Sequence, residues 1–197
     1  MTQDNSTKPT ATKVAKTHIN APTLLSARFM IRAFKAADLT EFAEYRNVAD
    51  IAKYQSWTEY SLDDAKKLFA QTNYAQFAVS GNWYQLAIAD AITDQLIGDM
   101  AVHFIDEYQA EVGFTIAPQH HKQGVATEAL QCLLGYLFTE LSRHRVIAIT
   151  DCLNTASVAV LEKVGFRREG HFKQNVMFKG RWGDEYLYAM LASDFNR

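Results

Sequence analysis

The sequence predicts one α/β (α+β) domain in which a mixed sheet is flanked by helices. Helical patterns with capping residues come early, strand-like segments fill the middle, and a strand–helix–strand–helix order leads into a carboxyl-terminal hairpin pattern. A chain of 197 residues has an ordinary length for one domain and can bury a core without disulfides or a metal.

Composition excludes several classes of protein. With a net charge of −2 the chain has no basic stripe for nucleic acid or a membrane surface, and no apolar run approaches the ~20 residues that span a bilayer. Met1–Pro22 lacks the apolar core of a signal peptide, and Cys132 and Cys152 have neither a disulfide nor a metal-ligand spacing. We therefore expect a reduced, cytoplasmic protein with no metal, no nucleic-acid partner and no membrane partner.

The amino-terminal part predicts a tail, a strand and a helix. Residues 1–22 lack an apolar period and are expected to form a disordered tail before a single domain at 23–197. Leu24–Arg32 predicts the first strand. Asp38, followed three residues later by Glu41, has the spacing of a capping box at the start of a helix.

Ser61 predicts the cap of a second helix, after which the pattern changes to that of strands. Trp83–Ala89 and Leu96–Phe104 flank a polar turn, and Ala110–Ile116 predicts a further strand. This middle region therefore supplies most of the predicted sheet.

The carboxyl-terminal half alternates helix and strand. A long helix is predicted over Gly124–Glu140 and a short buried strand over Val146–Thr150. Asn154 is the expected cap of a helix that ends at Gly165, and Phe166–Leu191 has the pattern of a hairpin.

The most informative segment is the loop before the long helix, His121-Lys122-Gln123-Gly124-Val125-Ala126. Gly124 lets the backbone approach a ligand, and the free N–H groups and dipole of a helix N-terminus favour a diphosphate. A single glycine is also typical of an ordinary helix-capping turn, because the loop matches neither the dinucleotide motif nor the P-loop.

The segment from His121 to Ala126 resembles the acetyl-CoA motif Arg/Gln-x-x-Gly-x-Gly/Ala of the GNAT acetyltransferases, with His121 in the Arg/Gln position. Asn154–Phe166 resembles the Asn-x-x-Ser and Leu-Glu-Lys-x-Gly-Phe block of the branch that includes the ribosomal-protein N-terminal (Rim-type) acetyltransferases. Three more segments are similar to that branch: Tyr45-Arg46, Tyr54–Trp57 and Trp182–Glu185. Together the resemblance covers residues 24–191.

The resemblance implies the GNAT fold, a mostly antiparallel sheet of about six to seven strands with about four helices. The sheet would splay between its fourth and fifth strands, here Ala110–Ile116 and Val146–Thr150, and acetyl-CoA as co-substrate would lie along the fourth. The cofactor-binding residues that the resemblance implies are Phe114, Thr115, Ile116, His121, Lys122, Gln123, Gly124, Val125, Ala126, Thr127, Asn154, Ser157 and Lys163.

Acetyl transfer from a thioester to an amine needs a polarised carbonyl, a neutral amine and a stabilised thiolate. The resemblance places the backbone amide near Phe114 at the thioester oxygen. Glu111 is the candidate general base; the alternative is a strand-edge carboxylate paired with a basic neighbour. Because Leu161 stands where many GNAT enzymes have a tyrosine, Ser157 is the candidate that hydrogen-bonds the sulfur, and otherwise it supports the first turn of the Asn154 helix.

The expected function is that of an acetyl-CoA-dependent N-acetyltransferase, an acyltransferase that transfers the acetyl group directly to a primary amine through a ternary complex. The acceptor would be a protein N-terminal amine or a small-molecule amine, and family habit allows a homodimer. The alternative is a non-catalytic acyl-CoA-binding module, which His121 and Leu161 leave open. Ordinary structural roles also stay open for three cofactor candidates: Asn154 as a cap, Lys163 as a solvated lysine, and His121 with His120 as a solvated loop pair.

Overall fold

The computed structural model describes residues 19–195, which form one eight-stranded sheet packed by helices. The strands are β1 (Leu24–Leu25), β2 (Phe29–Ala33), β3 (Trp83–Asp90), β4 (Leu96–Phe104), β5 (Gln109–Ile116), β6 (Arg145–Asp151), β7 (Arg167–Phe178) and β8 (Arg181–Leu191). The α-helices are α1 (Leu39–Arg46), α2 (Ala49–Ala52), α3 (Leu62–Gln71), α4 (Val125–Gly135), α5 (Thr155–Val164) and α6 (Ala192–Phe195), and a π-helical turn, Tyr136–Glu140, extends α4.

The sheet runs in the order β1-β2-β3-β4-β5-β6-β8-β7. Every neighbouring pair is antiparallel except β5 and β6, which are parallel. The mixed, mostly antiparallel sheet predicted from the sequence is therefore confirmed, with one strand more than the expected number.

The extra strand comes from the first predicted strand, which is a short hairpin. Ser26 turns the chain, because its N–H and hydroxyl both donate to the Phe29 carbonyl, and Leu24 then pairs with Ile31. Residues 1–18 of the expected tail lie outside the described residues. Residues 19–22, the last part of the predicted tail, are described, and Ile19 forms a β-bridge to Phe77.

The predicted Asp38–Glu41 capping box is wrong. The Asp38 carboxylate makes no cap bond to α1; it accepts from the Arg32 guanidinium at 2.7 and 3.0 Å and from the Lys35 N–H at 2.6 Å. A buried arginine is a stronger partner than a helix N–H, so the ion pair takes the carboxylate. The Ser61 cap is confirmed, and Asp64 completes its capping box.

Two apolar cores lie on opposite faces of the sheet. On β3, Leu86 and Ile88 belong to a large core with the buried leucines of α4, while Ala87 between them belongs to a smaller core under α1 and α3. Successive residues of a strand point to opposite faces, so one strand supplies both cores.

A gap opens in the sheet where β5 and β6 separate. They pair only over Gln109–Glu111 and Arg145–Ile147; beyond this, β5 continues on β4 and β6 continues on β8. The predicted splay is confirmed, and it opens a gap whose two walls are strand edges.

Candidate functional site

Two connected cavities occupy the gap between β5 and β6. A large groove of about 480 Å³ extends toward the N-terminus of α4, and a small cavity of about 200 Å³ extends toward α1 and the β7–β8 hairpin. The residues that line both, and so form the junction, are Tyr54, Gln55, Phe114, Thr115, Asn154 and Ser157.

The large groove ends at the first turn of α4. Gly124, with φ of +78°, is the N-cap, and its carbonyl accepts the first helical bond from the Glu128 N–H at 3.1 Å. The preceding N–H groups, those of Val125, Ala126 and Thr127, have no carbonyl within the helix to bind. Since all three residues line the groove, this end of it suits an anion.

Arg28 adds positive charge beside this turn and was not singled out from the sequence, where a lone exposed arginine carries no signal. Its Nε lies 2.8 Å from the Glu128 carboxylate, and its guanidinium donates to the Gln123 carbonyl at 3.1 Å. It therefore offsets the one acidic charge in the first turn of α4 and fixes the loop.

All the predicted cofactor-binding residues line the large groove except Gln123, whose side chain donates instead to the Gln119 carbonyl at 3.0 Å. His121 lines the groove, and its Nε2 donates to the Ile116 carbonyl at 2.8 Å, so the ring ties the loop to the end of β5. The His120 Nε2 atom is buried there without a hydrogen-bond partner among the described residues. Lys122 and Lys163 also line the groove, and their positive charges suit an anionic ligand.

Asn154 and Ser157 lie at the junction because of how α5 begins. The Asn154 side chain accepts from the Ser157 N–H at 3.2 Å, which confirms Asn154 as the helix cap. Because this bond forms at the gap, Asn154 can cap the helix and line both cavities at the same time. Leu161, one turn further along α5, is 1% exposed and closes the small cavity with an apolar surface.

The α1 end of the small cavity is a fixed, buried ion pair. Arg46 lies 3.0 Å from Asp99, which also accepts from the Tyr45 hydroxyl at 2.5 Å and from the Gln85 amide. Burial, together with the Asp99 charge, raises the pKa of Tyr45 well above its ordinary value, so its hydroxyl stays a donor. Asp99 is thus fully engaged by the protein itself.

Two small residues from paired strands, Gly113 on β5 and Ala101 on β4, line the cavity between its ends. A Cβ at Gly113 would meet only the Ala101 Cβ, at 3.8 Å, an ordinary contact. The fold therefore tolerates a side chain at position 113, and its absence leaves room in the cavity.

The other end of the small cavity is acidic and is covered by the hairpin. Asp151 on β6 and Glu185 on β8 are direct cross-strand partners there. Phe178 of the hairpin also lines the cavity, and the next residue, Lys179, donates to the Ala52 carbonyl of α2 at 2.6 Å. Glu185 belongs to the Trp182–Glu185 segment singled out from the sequence, but only the strand register places it opposite Asp151 at the cavity. No spacing along the chain predicts that the two carboxylates meet.

Glu111 lines neither cavity, although the next two residues line the small one. Its carboxylate lies 3.9 Å from Nδ1 of His103, whose ring stacks on Trp83. Burial raises the pKa of Glu111; His103 lowers it in part, and the charge of Glu185 adds to the rise.

Within residues 19–195, no helix is long and apolar enough to cross a membrane. The same residues contain no group of three or more His, Cys, Asp or Glu side chains placed to hold a metal ion.

Comparison with known proteins gives a consistent family. The family model described as an acetyltransferase (GNAT) domain matches residues 28–167. The chain is 32% identical over 174 residues to the uncharacterized N-acetyltransferase YnaD of Bacillus subtilis, covering 88% of this chain and 99% of that protein.

Two solved structures are similar over most of the chain. A GNAT-family acetyltransferase from Bacillus anthracis has a TM-score of 0.80 at 30% identity, covering 87% of this chain and 99% of that one. Spermidine N-acetyltransferase from Vibrio cholerae, in complex with CoA and spermine, has a TM-score of 0.74 at 26% identity, covering 86% and 98%.

Proposed function

The chain belongs to the GNAT acetyltransferase family, and on that premise we propose that it transfers the acetyl group of acetyl-CoA directly to a primary amine held in the small cavity. The observation that carries this proposal is the junction of the two cavities at the gap between β5 and β6. A cofactor in the large groove and an acceptor in the small cavity would meet at Phe114 and Ser157.

Acetyl-CoA suits the large groove on chemical grounds. The diphosphate would bind the N–H groups at the start of α4, with Lys122 and Lys163 adding positive charge. Beyond Glu111 the edge of β5 is free of β6, so alternate backbone groups of β5 are available to the pantetheine amides. The proposed cofactor residues are those predicted from the sequence, without the Gln123 side chain.

The reaction needs no covalent enzyme intermediate. The amine nitrogen attacks the thioester carbon, a backbone N–H near Phe114 stabilises the developing oxyanion, and the carbon–sulfur bond then breaks. Ser157 hydrogen-bonds the departing sulfur, and the thiolate of CoA takes up one proton from solvent. Glu111 is the proposed base and, because it lies outside the cavity lining, receives the amine proton through water.

Two acceptor classes fit this chemistry, a small-molecule amine and a protein N-terminus. The volume of about 200 Å³ favours a small amine or the terminal residue of a peptide. The resemblance to the Rim-type branch supports the peptide, and the spermine complex of the Vibrio cholerae relative supports the small amine. Two free thiols, Cys132 and Cys152, support a cytoplasmic location for either reaction.

Thiol release from acetyl-CoA with a panel of amines and peptides tests the function. Turnover that depends on an added amine is the expected result. CoA binding without turnover on any acceptor would instead establish the non-catalytic CoA-binding module.

Substitution of Gly124 tests the location of the cofactor. Gly124→Val should abolish CoA binding, because a β-branched residue is strained at φ of +78° and its side chain would press on the Arg28 guanidinium, 3.4 Å from the new Cβ, which holds the loop at Gln123. Gly81→Val is the matched control: Gly81 has φ of +84° with open space around it and lines neither cavity. Both variants should lose about 1–2 kcal/mol of stability, but only the first should lose CoA affinity in calorimetry. Unchanged affinity in Gly124→Val would place the diphosphate elsewhere.

A further inference from the structure

The charges that line the small cavity do not balance. Among the described residues that line it, Arg46 is the only Lys or Arg, and its side chain is already paired with the buried Asp99. Asp151 and Glu185 remain, and within the described part of the chain neither forms an ion pair. The cavity therefore carries two negative charges that the protein itself does not neutralise.

Strand register makes this arrangement unfavourable for the protein alone. Asp151 and Glu185 are direct partners across β6 and β8, so their side chains project from the same face. Like charges directly opposite each other in a sheet are destabilising. A cation between them would remove the repulsion.

Each carboxylate is nevertheless held in place by a neutral donor. The Asp151 carboxylate accepts the Leu153 N–H at 2.7 Å, and the Glu185 carboxylate accepts the Asn175 amide at 2.6 Å. Both side chains are half-buried, and each keeps further lone pairs. Two oriented, partly desolvated carboxylates form a better site for an ammonium group than two solvated surface residues.

We propose that the Asp151–Glu185 pair binds a second cationic group of the acceptor, which makes small diamines and polyamines the preferred acceptor class. The proposal rests on the proposed function. The reacting amine lies at the junction near Phe114 and Ser157, and the second ammonium lies at the acidic end of the same cavity. The lack of a side chain at Gly113 and the small methyl group of Ala101 leave room for the aliphatic chain between the two amine groups.

A matched pair of acceptors tests the charge requirement. Putrescine and n-pentylamine have the same length and differ in one terminal group, an ammonium against a methyl. The wild-type enzyme should prefer putrescine by about tenfold or more in kcat/KM, expressed mainly in KM, because a charge-assisted contact is lost with pentylamine. Higher ionic strength should reduce this preference.

Charge-neutralising variants locate the effect. Glu185→Gln and Asp151→Asn keep the shape of each side chain. Each should lower the ratio of kcat/KM for putrescine to kcat/KM for pentylamine, and in the double variant this ratio should be close to one. Asp63→Asn is the control, since it removes one negative charge from the exposed surface of α3, and it should leave the ratio unchanged.

Binding measurements separate this proposal from the proposed function. Putrescine titrated into the CoA-saturated protein should bind in the wild type and bind at least tenfold more weakly in the double variant. If putrescine binds in this way and no amine is acetylated, the proposed function fails and the cation site stands. The cation site is overturned if pentylamine, or a peptide with an uncharged first side chain, is acetylated with the same kcat/KM as putrescine. It is also overturned if the double variant keeps the preference for putrescine.

Discussion

Burial determines how readily Glu111 takes up a proton. Its side chain is 23% exposed, and the nearest basic atom, Nδ1 of His103, lies 3.9 Å away, beyond normal hydrogen-bond range. Burial, opposed in part by His103 and reinforced by the charge of Glu185, leaves the pKa of Glu111 above its ordinary value. A raised pKa makes the carboxylate a stronger base, which the proposed role requires.

Glu111→Gln should therefore lower activity while raising stability at neutral pH. Loss of a general base costs about a hundredfold or more in kcat. Because the folded-state pKa of Glu111 lies above the unfolded one, protonation favours the folded state, and the ionised side chain destabilises it at pH 7. The variant avoids that penalty, so its stability advantage should be present at pH 7 and disappear as the pH falls below 4.5.

Thermal unfolding at several pH values, run beside steady-state kinetics, measures both effects of this substitution. Unchanged kcat in Glu111→Gln would remove Glu111 from the mechanism. A variant less stable than the wild type at pH 7 would contradict the desolvation argument.

At the scale of helices and strands, the features that the sequence could predict are those with local causes. Ser61 and Asn154 cap helices through residues three positions away, and Gly165 ends α5 in the left-handed conformation. Asp38 misled the prediction because its partner, Arg32, lies on β2, and a capping pattern carries no information about a partner outside the helix.

The same distinction applies to the site. The loop at Gly124 is one continuous segment next to a helix, so its residues could be predicted together. Asp99, Asp151 and Glu185 come from three different strands and reach one cavity only through the register of the sheet. No spacing along the chain relates these three residues, and the proposed acceptor end of the site was therefore not predictable.

The Arg46–Asp99 pair attaches α1 to the sheet, and its loss should be costly. Arg46→Met would leave the buried Asp99 charge without a cation, and removing one partner of a buried ion pair costs about 3–5 kcal/mol. Urea denaturation should show this loss. Lys66→Met is the control, because Lys66 pairs with Asp63 on the exposed surface of α3, where such pairs contribute little. Equal effects of the two substitutions would show that the buried pair does not hold α1.

At the scale of the whole molecule, distant parts of the chain enclose the junction of the two cavities. The Tyr54 hydroxyl donates to the Leu153 carbonyl at 3.0 Å, which joins the segment after α2 to the loop before α5. Lys179 joins the hairpin tip to α2 in the same way. Because these contacts close the space around the junction, the cofactor and the acceptor are expected to occupy it together.

Direct transfer should then be visible in the order of chemical events. The two cysteines line neither cavity, and burial raises the pKa of both thiols, so neither is poised to carry an acetyl group. Acetyl-CoA alone should neither release thiol nor increase the mass of the protein, and initial-velocity plots with both substrates varied should intersect. Cys152→Ser should keep the wild-type kcat. An acetylated protein formed before amine is added, or parallel velocity lines, would establish a ping-pong reaction and require a nucleophile within the junction.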